Sequence, residues 1–329
     1  MDDVEHMGRA MALAAAVRTT TAPNPWVGCV IVPETGPVRL FEGATAPPGG
    51  PHAEVAALAA AGDAARGSTL YVTLEPCAHH GRTPPCAESI VAAGVARVVV
   101  AVEDPDPRVA GRGLEILRQA GIEVTVGVAA DEVAEQLAPY LKHRRTGRPW
   151  VVLKLAASLD ARTAAPDGTS RWITGEAARR DVHVLRARSD AVLVGAGTVR
   201  ADDPELTVRL DDGADRSQPL RVVLGQAPPG AKVLPALELS GDLGEVLREL
   251  GRRGVLQLLV EGGARVAHDF HAAGLVDRYV LYLAPVFFGG DDARPLFAGR
   301  GAGTIADVWK GRLVSVAQLG DDLRVEVAA

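Results

Sequence analysis

One stretch constrains this chain more than any other: T-L-E-P-C-A-H-H-G-R-T-P-P-C, from Thr73 to Cys86, read together with P-H-A-E from Pro51 to Glu54. The spacing predicts a strand over Ser68 to Leu74 that delivers Glu75, Pro76 and Cys77, then a loop, then a helix that Cys86 opens. A second helix is predicted from His52 to Ala61, stopped by Gly62. A fold that uses these residues together has to bring two helix starts and one strand end to a common point. His52, Cys77 and Cys86 are then candidate metal ligands, with Glu54 beside them. One imidazole and two thiolates leave one corner of a zinc tetrahedron open, as a catalytic site requires. Zinc in such a site lowers the pKa of its water toward neutrality, and Glu54 is the candidate proton carrier. Residues two apart do not share a face in an ideal helix, so His52 and Glu54 converge only if His52 sits at the helix boundary. A thiolate at Cys86 is favoured by the helix N-terminus.

H-x-E followed by P-C and a second cysteine is the signature of zinc-dependent nucleobase deaminases, in which the glutamate is not a ligand. Two blander readings compete with it. Free cysteines are often small core residues, and Cys29, within V-G-C-V-I-V, fits that role. Cys77 and Cys86 instead flank a Pro-rich loop with His79, His80 and Arg82 between them. A structural zinc site would close with a fourth protein ligand, His79 or His80.

A chain of 329 residues suggests two domains. Its three cysteines fit a reducing compartment such as the cytoplasm rather than a disulfide framework. The acidic start, M-D-D-V-E-H-M, is unlike a secretory signal, and no apolar run is long enough to span a bilayer. A net charge of −6 argues against a nucleic-acid partner. Asn24 is the sole asparagine and Lys154 one of four lysines. Asn24 lies between two prolines that lead into a strand over Val27 to Val32, so its amide is fixed, either as a turn residue or as a hydrogen-bonding partner for a substrate base.

Strand and helix alternate along the chain, which predicts an α/β layered fold. The first half runs from a helix over residues 2–20 through strands over Val95 to Val102 and Ile122 to Val128, with helices over Gly113 to Ala120 and Asp131 to Leu141. K-H-R-R-T-G-R-P reads as a linker, giving domains over residues 1–145 and 146–329. The second half opens on a strand carrying Lys154, followed by an Arg-rich helix from Gly175 to Ala187 and further strands over Ala191 to Val194, Leu220 to Leu224, Val255 to Val260 and Tyr279 to Ala284. Two glycine-bearing strand ends, V-G-A-G-T and V-E-G-G-A, are either tight turns or phosphate cradles. Neither matches a dinucleotide fingerprint. Arg186, Arg188 and Arg209 are either a solvated face or a binding group for a small anion.

Together these motifs resemble the bifunctional riboflavin-biosynthesis deaminase/reductase family, over nearly the whole chain. The eight residues between Cys77 and Cys86 differ from the C-x-x-C spacing of cytidine and tRNA deaminases. K-L-A-A-S-L-D, S-R-W-I-T, A-D-D-P-E-L-T-V-R and V-E-G-G follow in the family's order. The resemblance implies an N-terminal cytidine-deaminase-like α/β/α domain and a C-terminal dihydrofolate-reductase-like domain. It implies zinc and NADPH as cofactors and a phosphorylated pyrimidine ribosylamine as substrate, first deaminated and then reduced from ribosyl to ribityl. A single-activity deaminase with a degenerate reductase half is the alternative.

By similarity, Glu54 and Lys154 are catalytic. Ala156, Trp172, Thr198, Asp202 and the segment Gly263, Ala264, Arg265, Val266, Ala267, His268 and Asp269 line the NADPH site. Asn24, His79, Ser170, Arg186, Leu206, Arg209 and Glu261 contact substrate. A homo-oligomer, dimer or tetramer, is implied through the reductase halves. Two positions depart from the family pattern: Thr45 stands where a histidine is usual, and Ala161 where S-L-D is followed by glycine.

Overall fold

The computed structural model describes residues 2–34, 39–79, 84–210 and 217–329. The chain forms two compact units, Met1–Gly147 and Arg148–Ala329.

In chain order the first unit holds α1 (Asp3–Val17), β1 (Gly28–Val32), β2 (Phe41–Ala44), α2 (Ala53–Ala61), β3 (Thr69–Leu74), α3 (Cys86–Ala93), β4 (Arg97–Val102), α4 (Arg112–Gln119), β5 (Glu123–Val126), α5 (Ala130–Gln136) and α6 (Ala138–Thr146). Its sheet has the order β2-β1-β3-β4-β5, antiparallel around β1 and parallel from β3 to β5. Two glycines show how helices cover both faces. A Cβ on Gly28 would lie 1.9 Å from the Ala10 carbonyl of α1, and one on Gly43 would lie 2.1 Å from the Ala53 carbonyl of α2. Gly28 pairs with Ala44, the neighbour of Gly43. Side chains alternate along a strand, so α1 and α2 pack on opposite faces of the sheet.

The predicted single helix over Asp131 to Leu141 is two helices, broken at Leu137 with Pro139 in the first turn of α6. Proline lacks the amide a continuing helix needs but suits a fresh N-terminus. The stretch read as a linker is mostly helical: α6 runs to Thr146 and ends at Gly147, whose φ of 67° is left-handed. His143, Arg144 and Arg145, read as linker charge, lie in its last turn, where they complement the helix dipole.

The second unit holds β6 (Trp150–Ser158), β7 (Arg162–Ala164), α7 (Glu176–Ala187), β8 (Ala191–Gly195), α8 (Ala196–Asp202), β9 (Leu220–Leu224), β10 (Leu237–Leu239), α9 (Leu243–Arg252), β11 (Gln257–Val260), α10 (Ala264–Ala272), β12 (Arg278–Ala284), β13 (Arg294–Pro295), β14 (Arg312–Leu319) and β15 (Asp322–Ala328). Its main sheet runs β10-β9-β8-β11-β6-β12-β15-β14, parallel from β10 to β12 and antiparallel beyond. Both faces of the parallel part are buried, as such sheets require. Val151, Leu153, Leu258 and Val260 pack with Leu247 and Phe270 of α9 and α10. Val152, Val192, Val194 and Leu259 pack with Ala178, Leu185 and Val199 of α7 and α8. Ligand clefts in such sheets lie beyond the carboxyl ends of the strands, and the large cavities of this unit are there.

Candidate active sites

In the first unit a cavity of about 140 Å3 is lined by Asn24, Thr45, His52, Glu54, Cys77 and His79, among others. His52 is the residue before α2, with extended backbone (φ −73°, ψ 164°), so it escapes helical geometry and turns toward the same point as Glu54. Cys77 follows β3, and Cys86 is the first residue of α3. The ligand atoms of His52, Cys77 and Cys86 all lie within 4.8 Å of one another. Nδ1 of His52 is 3.2 Å from Sγ of Cys86 and 3.6 Å from Sγ of Cys77. Tetrahedral zinc, with bonds of about 2.3 Å to sulfur and 2.0 Å to nitrogen, needs N···S separations near ~3.5 Å. The donor set therefore fits zinc. Among the described residues no fourth protein donor joins these three; His79 lines the cavity, and His80 lies outside the described residues.

The charges of these groups are linked through their contacts. The hydrogen bond with the Cys86 thiol, helped by His52, holds Cys77 well below an ordinary thiol. The same contact and burial push Cys86 up. The hydrogen bond with Cys77 raises His52. Burial pushes the Glu54 carboxyl, only 4% exposed, up to about 7. A carboxyl poised near neutrality can both take and give a proton. Thr45, also buried, spends its hydroxyl on the residue before β1: Oγ1 accepts from the Val27 amide at 3.0 Å.

In the second unit two cavities, about 760 and 1290 Å3, share Thr163, Ser170, Thr198, Asp202 and Glu261. The first also gathers Lys154, Ala156, Trp172, Arg186, Leu206 and Arg209. The second gathers Gly263, Ala264, Arg265, Val266 and Asp269. Two residues of the expected cofactor segment line neither cavity. Ala267 is fully buried in the core, and the ring of His268 packs over Gly299, within 2.4 Å of where a Cβ would sit. On α10 they point to the core and to that loop, while Val266 and Asp269 reach the cavity.

Glycines at Gly195 and Gly262 are required by packing, because a Cβ at either would lie 2.8 and 2.5 Å from Val266. The two glycine turns are joined where the Gly263 amide donates to Thr198 Oγ1 at 3.2 Å. At the centre, Arg186 holds Glu261 through Nε–Oε1 at 2.6 Å and Nη2–Oε2 at 3.1 Å, with Lys154 Nζ 3.7 Å from Oε2. Burial alone would raise Glu261, but Arg186 and Lys154 outweigh it and hold the carboxyl below its ordinary value.

Sequence reasoning gave no role to His183, Tyr282, Tyr140 or Arg144, all of which line these cavities. His183 was within reach of a helical-spacing argument, one turn before Arg186 on α7. Tyr282, whose hydroxyl donates to Asp181 at 2.5 Å, carried no local signal.

Residues 2–102 match the cytidine and deoxycytidylate deaminase zinc-binding region, and residues 149–325 match the RibD C-terminal domain. The chain is 42% identical to the riboflavin biosynthesis protein RibD of Escherichia coli, over 98% of each chain. It superimposes on RibD of Acinetobacter baumannii with a TM-score of 0.93 at 42% identity, covering 99% of this chain and 98% of that one. The chain belongs to the RibD family. It is a bifunctional deaminase and reductase of riboflavin biosynthesis, with a cytidine-deaminase-like N-terminal domain and a dihydrofolate-reductase-like RibD C-terminal domain. Zinc and NADPH are its cofactors. A Thermotoga maritima structure described as a diaminohydroxyphosphoribosylaminopyrimidine deaminase/5-amino-6-(5-phosphoribosylamino)uracil reductase superimposes with a TM-score of 0.88 at 34% identity, covering 99% of this chain and 98% of that one.

Proposed function

We propose that the first unit deaminates a diaminohydroxy-pyrimidine ribosylamine phosphate and that the second reduces the ribosyl group of the product to ribityl. The observation that carries this reading is the cluster of His52, Cys77 and Cys86 at zinc-binding distances, with the buried Glu54 beside it. Zinc, when bound by those three, supplies the Lewis acidity that brings water to a nucleophilic state near neutral pH. Glu54 would take one proton of that water as it adds to the 2-amino-bearing carbon and give it to the ring nitrogen, then take the proton of the added hydroxyl and give it to the amino group that leaves as ammonia. Asn24 and His79, on the cavity wall, hold the pyrimidine. Thr45 keeps the wall closed by bonding the residue before β1 and leaves recognition to these neighbours.

In the second unit Lys154 lies near the reacting sugar, and Glu261 fixes its place. Ser170, Arg186, Leu206 and Arg209 hold the phosphorylated substrate. Ala156, Trp172, Thr198, Asp202 and the Gly263-to-Asp269 turn hold NADPH, with contact made by the cavity-lining members of that turn. The protein's contribution is to orient the sugar carbon against the nicotinamide.

We place the enzyme in the cytoplasm as a dimer or tetramer joined through reductase halves. The sheet's last strand, β14, supports that assembly: Leu313 and Val316 are 60% and 56% exposed, and an apolar sheet edge calls for a partner. No helix among the described residues is long and apolar enough to cross a membrane.

A coupled assay with the phosphorylated pyrimidine, zinc and NADPH tests the reading, with ammonia and NADPH absorbance followed separately. Ammonia should appear first, and NADPH oxidation should wait for it. Oxidation without ammonia release would overturn the order.

A further inference from the structure

The deaminase cavity has a wall that neither the metal cluster nor Glu54 explains. Asp104, Asp106, Arg108, Val109, Tyr140 and Arg144 line it. Glu75, 4% exposed and two residues before Cys77, hangs this wall in place: its carboxylate accepts from the amides of Asp104 at 3.2 Å, Gly111 at 3.0 Å and Gly113 at 3.0 Å. The approach is so close that a Cβ on Gly113 would lie 2.0 Å from the Pro76 carbonyl.

Within this fixed wall the two arginines differ. Asp106 is committed to Arg108 through bonds of 3.0 and 2.7 Å. Arg144 reaches the same carboxylate only at 3.9 Å, and its buried Nε has no hydrogen-bond partner. It is nonetheless held in place, 5.0 Å over the ring of Tyr140, one turn earlier on α6, whose hydroxyl donates to Asp104 at 2.9 Å. A buried donor left unsatisfied is costly, and a guanidinium matches a phosphate in shape and charge. The cavity, about 140 Å3, is smaller than the ~300 Å3 from which pockets enclose whole ligands. It admits a pyrimidine ring and leaves the sugar phosphate at its rim.

We propose that Arg144 binds the phosphate of the deaminase substrate, with the Glu75-anchored segment from Asp104 to Gly113 as its support. The proposal rests on the deaminase reading above. The test is deamination by the zinc-loaded full chain of the phosphorylated ribosylaminopyrimidine and of the same compound lacking phosphate, for the wild type, Arg144→Met and Arg144→Lys. For the phosphorylated compound Arg144→Met should raise KM by about tenfold to a hundredfold, the scale of a charge-assisted contact, with kcat little changed. Arg144→Lys should recover part of the loss. For the dephosphorylated compound the wild type should already show the raised KM, and neither variant should alter it. Zinc content by metal analysis and an unchanged deamination of the dephosphorylated compound report that the deaminase unit of each variant is folded. An equal effect on both compounds, or no effect on either, overturns the phosphate role alone. A wild type that deaminates neither compound overturns the deaminase reading and this inference with it.

Discussion

Glu54 and Glu261 are both buried glutamates at the heart of a cavity, and they titrate in opposite directions. Burial of Glu54 meets little opposing charge, so its carboxyl rises to about 7. Burial of Glu261 is more than offset by Arg186 and Lys154, so its carboxyl falls below the ordinary value. Desolvation raises both, and the neighbouring groups decide the sign. A proton carrier needs the first environment and a permanent anion the second. The two halves of this enzyme thus use one residue type for two jobs, and the surroundings assign each job.

Replacing each glutamate by its neutral isostere breaks that contrast most directly. Glu54→Gln keeps shape and the three metal donors but can no longer ferry a proton. Deamination should fall by about 10²–10⁴-fold, while zinc content by metal analysis and reduction of the deaminated intermediate stay at wild-type levels. Loss of both activities would mean the sites are not separate. Glu261→Gln leaves the partly buried Arg186 and Lys154 without their counter-charge. Breaking such a cluster costs about 3–5 kcal/mol, so the reductase unit should melt early by calorimetry and reduction should fail, with deamination spared.

Acidification sharpens the comparison with a smaller effect. Glu261 is held below the 4.5 of a free glutamate. Above that value both folded and unfolded chains carry the charge, and the cluster contributes its full stability. As pH falls below it, the unfolded chain takes up the proton first and stability drops, until the folded carboxyl is protonated too. Urea unfolding of the reductase unit from about pH 6 down to about pH 3 should show this loss in the wild type, and Glu261→Gln should lack that component.

Some of this was legible in the sequence and some was not, for reasons that differ by residue. The three metal ligands were legible because donor type and spacing are chemical requirements that local sequence must carry. The convergence of His52 and Glu54 was not, because it turns on whether α2 begins at residue 52 or 53. Glu75 stood within the first motif without a role, since its partners, the amides of Asp104, Gly111 and Gly113, become visible only in the fold. Arg144 was absorbed into a supposed linker because a run of basic residues looks alike whether it ends a helix or joins domains. Strands β2, β14 and β15 went unrecognised, although β15 alternates as D-L-R-V-E-V-A and pairs with β14 across a tight turn; β2 is only four residues long and β14 is largely exposed, so neither carries a clear apolar pattern.

The smallest predicted effect concerns Ala161, where the family pattern has glycine. Its φ is +60°, in the left-handed region that an alanine side chain disfavours by roughly 1–2 kcal/mol. The turn imposes this conformation. Ser158 Oγ accepts from the Arg162 amide at 3.0 Å, and Asp160 accepts from the amides of Phe288 and Gly289 at 3.0 and 2.8 Å. Glycine would relieve the strain but would add about 0.4–1 kcal/mol of unfolded-chain entropy. Ala161→Gly should therefore stabilise the reductase unit by about 1 kcal/mol or less, a rise in Tm of roughly 2–4 °C at most. The transition of the deaminase unit should not move. A fall in Tm would show that residue 161 does not hold a left-handed backbone in solution. It would also remove the reason for expecting the S-L-D turn to keep its family geometry with alanine in place of glycine.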